Sequence, residues 1–165
     1  MWGRNQTGQL GFNNTTGSSS PAQLISSVTS WKMVSCGGAD FTMAIDGNDR
    51  LWSWGNGGNG KLGNSTLAHR SSPVMIHAGP WKFVQCGYQN AIAIDNNNKL
   101  WAWGQNVNGT FCNNSTVSRS SPVQVFSTNV LTAYIDGSSS FANIAVIKED
   151  GKLWMCGSCL LYTSP

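Results

Sequence analysis

Apolar and polar positions alternate in short runs along this chain, and the runs return at a fixed spacing. In residues 31–37, WKMVSCG, the alternation puts Val34 and Cys36 on one face of an extended strand and Met33 and Ser35 on the other. Residues 42–46, TMAID, follow after a turn, and residues 51–54, LWSW, place two indoles on one face with Leu51 and Ser53 on the other. Both faces of this last run are apolar, which predicts a strand buried on both sides between similar sheets. The corners at 47–49, 96–98 and 149–151 are rich in Asn, Asp and Gly and predict hairpin turns. Strands are expected near residues 31–36, 42–46, 50–55, 81–86, 91–95 and 99–104.

The spacing is countable. Trp2, Trp54 and Trp103 are 52 and 49 residues apart, and Cys156, 53 residues further on, stands where the next Trp belongs. Pro21, Pro73 and Pro122, each after a Ser, repeat the intervals of 52 and 49. A period near 50 with about four short strands in each unit predicts an all-β propeller. Two complete four-stranded blades are expected at about 31–76 and 81–126, flanked by partial blades at 1–25 and 130–158. The assembly is therefore expected to be open rather than closed. Pieces beginning at Pro21 (PAQLI), Pro73 (PVMI) and Pro122 (PVQV) read as edge strands, where a proline breaks no ladder. Trp52, Trp54, Trp101 and Trp103 are expected to be buried between blades.

The string from Val34, VSCGGADFTMAIDGNDRLWSWGNGGNGKLG, resembles the repeat of the regulator of chromosome condensation family, whose members form seven-bladed propellers. The resemblance spans residues 1–158 and rests on the WG, the later G-x-LG and the Ser-Pro recurring in order. Departures lie at Phe41, Asn90 and Asn143, where the family usually carries His. Cys36 and Cys86 stand where it more often has Ala, and Cys156 where it has Trp. Residues 159–165, CLLYTSP, look like translated adapter sequence and are set aside as a non-native tail.

Composition narrows the function. Of 165 residues only 17 are charged, with 10 basic and 7 acidic, and the basic ones are scattered. No nucleic-acid partner is expected, because a polyanion binder clusters its Lys and Arg. No apolar run is long enough to span a membrane as a helix.

The motifs that suggest chemistry have structural explanations. Gly55, Gly57 and Gly60 spell G-x-G-x-x-G, but the polar stretch 62–72 gives no helix to receive a pyrophosphate. Lys61 is followed by Leu62, not by the hydroxyl a phosphate loop needs. Cys156 and Cys159 have redox-pair spacing, yet Cys156 replaces a packed Trp and Cys159 lies in the tail. Cys36 and Cys86 read as small core residues, and Cys112 as a substitute for a turn glycine. His69 and His77 have no ligand partner at a metal-binding interval and read as surface loop residues. The Asn-x-Ser/Thr triplets starting at Asn5, Asn13, Asn14, Asn64, Asn108, Asn113 and Asn114 follow from loops rich in these residues. Asp46 and Asp95 share one repeat position at a strand end, which favours hairpin capping over a catalytic pair.

The expected function is a non-enzymatic scaffold that needs no cofactor or metal and presents blade loops to a protein partner. The expected binding residues are Asp40, Phe41, Tyr88, Gln89, Asn90 and Phe141, because the loop tips vary while core positions repeat. Exposed blade faces add a route to self-association. The resemblance implies alternatives: guanine-nucleotide exchange on a small GTPase, ultraviolet reception, or a secreted or virion-surface propeller.

Overall fold

The computed structural model describes residues 1–136 and 142–157. It is all-β, with strands β1 (Trp31–Gly37), β2 (Phe41–Asp46), β3 (Leu51–Gly55), β4 (Arg70–His77), β5 (Trp81–Cys86), β6 (Asn90–Asp95), β7 (Leu100–Gly104), β8 (Arg119–Phe126), β9 (Val130–Ile135), β10 (Asn143–Lys148) and β11 (Leu153–Gly157). One 3-10 turn at Gly58–Gly60 is the sole helical element among the described residues. These strands form three antiparallel sheets in simple order, β1 to β4, β5 to β8 and β9 to β11.

Each hairpin closes through the predicted corner. Asp49 and Asn98 occupy the same position of this turn in the first and second sheets, and both take left-handed backbone conformations, with φ 62° and 61°. Asp and Asn tolerate that region better than other side chains. The Ser-Pro pieces at Pro73 and Pro122 lie within β4 and β8, on the outer edges of their sheets. The equivalent piece at 21–25 is not a strand. The pairing there is confined to Met1 with Ala22, where the Ala22 N–H donates to the Met1 carbonyl at 3.0 Å and the Met1 amino group to the Ala22 carbonyl, and to one bridge between Gly3 and Ser18. A lone pair of extended segments gives too little surface to sustain a ladder.

The sheets are blades stacked face to face. Leu51, Met43 and Leu62 of the first blade pack against Val84, Ala91 and Trp103 of the second. Ile92, Leu100 and Phe111 of the second pack against Ile135, Ile144 and Val146 of the third.

Matched repeat positions show where this stacking stops. Val34 is 57% exposed while Val84 is fully buried, because a complete four-stranded sheet lies before β5, whereas the segment before β1 contributes no strand to cover it. At the other end Leu153 and Met155 are 62% and 70% exposed, whereas Leu51, Leu100, Ser53 and Ala102 are fully buried. The assembly is an open arc with one uncovered face at each end.

The indoles divide into two classes. Trp54 and Trp103 are buried, but Trp52 and Trp101 are only partly so, which corrects the expectation that all four are sealed between blades. The outer pair sits near the hairpin corners, where each indole N–H reaches a carboxylate.

Candidate functional site

One edge of the stacked blades carries the loops that join β1 to β2 and β5 to β6. These loops are stitched to one another across the blade boundary. Gly38 N–H donates to the Gly87 carbonyl at 3.2 Å, and Ala39 N–H to the Tyr88 carbonyl at 3.1 Å. The residue after the same blade's Trp-Gly supports each of these loops: Asn56 N–H donates to the Asp40 carbonyl at 2.8 Å and Gln105 N–H to the Gln89 carbonyl at 2.9 Å.

Side chains of neighbouring repeats meet at this edge. The Asp40 carboxylate accepts from the Gln9 side-chain amide at 3.1 Å and lies 3.7 Å from the Arg4 guanidinium. Asn59 donates to the side-chain oxygen of Gln89. Lys61 occupies the same repeat position as Gln9 and is almost fully buried. Burial lowers its pKa, and the nearby Asp40 charge offsets part of that effect. A hollow of about 360 Å³ beside Asp40 is bordered by Arg4, Gln9, Cys36 and Thr42.

The expected binding residues separate here. Asp40, Tyr88 and Gln89 are partly exposed and lie together on the loop edge. Phe41 and Asn90 are buried, at 1% and 2% exposure, which corrects their assignment as surface anchors. Each opens its central strand one residue earlier than the sequence pattern suggests, and a central strand of a stacked blade is covered on both faces. Phe141 lies outside the described residues. Arg4, Asn59 and Lys61 join the edge without having been legible, because they belong to the turns after Trp-Gly and follow no hydrophobic period.

The residues with tempting chemistry serve the fold. Asp46 Oδ1 accepts the backbone N–H groups of Asn48 and Arg50 at 2.9 and 3.0 Å, while Oδ2 accepts Arg50 Nε and the Trp52 indole at 2.7 and 2.8 Å. Burial alone raises the pKa of this carboxyl. The Arg50 amide, the Trp52 indole, the Arg50 guanidinium and the Asn48 amide outweigh it and hold the group below the usual carboxylate value. Asp95 repeats the arrangement with the Asn97 and Lys99 amides and the Trp101 indole.

In the third blade Lys148 takes this position and its ammonium instead lies over Trp154, 5.2 Å from the ring centre. His69 accepts the Gly57 N–H at 3.1 Å, and His77, at the end of β4 rather than in a loop, stands edge-on to Trp81. Burial pushes the Cys86 thiol far up, so it remains protonated and inert. No helix follows the glycines at 55–60 to hold a pyrophosphate.

One covalent bond lies at the second blade boundary: Cys112 and Cys156 form a disulfide with their Cα atoms 5.6 Å apart.

Comparison with known proteins agrees with this architecture. The family model described as the regulator of chromosome condensation (RCC1) repeat matches residues 1–45 and 48–94, and a second model of that repeat matches 81–110. The probable E3 ubiquitin-protein ligase HERC4 of Homo sapiens is 37% identical over 76 residues, covering 46% of this chain and 7% of that protein. The ultraviolet-B receptor UVR8 of Arabidopsis thaliana is 35% identical over 78 residues, covering 47% and 18%. Among solved structures, human WBSCR16 superposes with a TM-score of 0.78 at 20% identity, over 94% of this chain and 41% of that one. Prp20p of Saccharomyces cerevisiae gives 0.76 at 20% identity, over 94% and 40%. The chain thus spans less than half the length of each of these proteins.

Proposed function

The chain belongs to the regulator of chromosome condensation repeat family, and from that membership we propose that it is a non-enzymatic scaffold whose loop edge binds a protein partner. The observation that carries the proposal is the contrast between Asp40, Tyr88 and Gln89 and the positions around them. The repeated residues are consumed by blade packing, whereas these three differ between repeats and are partly exposed. Their carbonyls all accept backbone N–H groups, Tyr88 from Ala39 across the blade boundary and Asp40 and Gln89 from Asn56 and Gln105 of their own blades. A preorganised loop set with one aromatic and a mixed-charge rim suits a protein surface.

Relatives of this fold support the class of role. Prp20p is described together with its binding to Gsp1p and histones. The scattered charge of the present chain favours a protein over a nucleic acid.

The test compares affinity capture by the unaltered chain, by a D40A/Y88A/Q89A variant and by a K32A/K82A control. The control residues lie near the hairpin corners, at the other end of the blades. The proposal expects a partner retained by the control and lost by the loop variant, with circular dichroism unchanged in both. Equal retention by the loop variant contradicts it.

A further inference from the structure

We propose that the Cys112–Cys156 disulfide is a covalent latch that replaces the Gly–Trp contact joining successive blades, and that the third blade is held in place by oxidation.

The replaced contact is visible twice in the same molecule. The Trp54 indole donates to the Gln9 carbonyl at 2.9 Å, and a Cβ added at Gly11 would lie 3.0 Å from its nitrogen. The Trp103 indole donates to the Lys61 carbonyl at 3.0 Å, and a Cβ added at Gly63 would lie 2.7 Å from its nitrogen. A large indole from one blade therefore seats on a bare glycine of the blade before. At the next boundary the glycine position is Cys112 and the indole position is Cys156.

Either change alone would damage the contact. A side chain at the glycine position collides with an indole, and a thiol in place of an indole leaves a void. Together they bring two thiols to the same place. Cys112 keeps the left-handed backbone of the glycines it replaces, with φ 54° beside 77° at Gly11 and 72° at Gly63. Its sulfur lies 3.4 Å from the Thr110 carbonyl, the counterpart of the carbonyls that accept Trp54 and Trp103. The Cα separation of 5.6 Å lies in the ordinary disulfide range. Both cysteines are partly exposed, so an oxidant can reach them.

Formation requires a disulfide oxidant, either a small-molecule disulfide or a disulfide-bonded oxidoreductase. One thiolate attacks an oxidant sulfur and expels one thiolate, leaving a mixed disulfide. The second cysteine thiolate then attacks the protein sulfur of that bond and expels the other half of the oxidant. The two protein thiols lose two protons and two electrons, and the oxidant disulfide becomes two thiols.

The test uses the full chain purified without reductant, alkylated, digested and analysed by mass spectrometry, alongside thermal unfolding with and without reductant. The proposal expects a peptide linking Cys112 to Cys156 and a reductant-induced fall in unfolding temperature of roughly 5–10 °C. In C112G/C156W, which restores the contact of the other boundaries, reductant should have no effect and unfolding should stay near that of the oxidised parent. In C112A/C156A, unfolding should match the reduced parent. A Cys156–Cys159 linkage, an alkylated Cys112, or identical unfolding of oxidised and reduced parent overturns the proposal, whether or not C112G/C156W folds.

Discussion

The indole of Trp52 donates to Asp46 at 2.8 Å across the corner of its own hairpin, and the same carboxylate also holds the two amides that close the turn. One buried group thus fixes both the turn and the outer tryptophan of the blade. Asp46→Asn keeps the shape but loses the charge that strengthens these bonds, at an expected cost of about 1.5–3 kcal/mol. Urea unfolding of the variant and parent checks this, and a change below a few tenths of a kcal/mol would contradict it.

The same group sets an acid dependence. The folded carboxyl lies below its ordinary value, so its contribution to stability is fully present above about pH 4 and is lost as pH falls through the depressed folded value. The parent should therefore lose stability more steeply than Asp46→Asn below about pH 4. Urea midpoints taken across that interval are the check, and parallel curves would contradict the assignment.

Trp103 is the most enclosed indole, fully buried between the first two blades and bonded to Lys61. Trp103→Ala should cost about 3–5 kcal/mol. Trp52→Ala should cost less, since that ring is only partly covered. Equal costs in chemical denaturation would show that the two classes of indole are not distinct.

Gly63→Ala places a methyl group against the Trp103 indole, on a backbone with φ 72°. An expected loss of about 1–3 kcal/mol follows from overpacking and from the left-handed backbone. Urea unfolding followed by tryptophan fluorescence checks this, and an unchanged midpoint would contradict the close seating of glycine on indole.

The strands were legible because three copies of one pattern constrain each other. The strand bounds at Trp81–Cys86 coincide with expectation, and each of the other five expected strands differs by one residue at one end. What the pattern could not supply was anything that depends on neighbours in space. Val34 and Val84 are the same position in the repeat, and only the number of blades beside them decides that one is exposed. Phe41 and Asn90 look like loop tips by composition, and their burial follows from the adjacent blade. Cys112 and Cys156 are 44 residues apart, and their pairing becomes visible only once Gly63 is seen beneath Trp103.

The arc of blades is open, with Val34 uncovered at one end and Leu153 and Met155 at the other. Sedimentation velocity of the expressed chain over a concentration series, with a hydrophobic dye present in parallel samples, tests it most directly. Exposed apolar faces of this kind should produce concentration-dependent association and strong dye binding. A compact monomer at every concentration, melting cooperatively and binding no dye, would contradict the open arc.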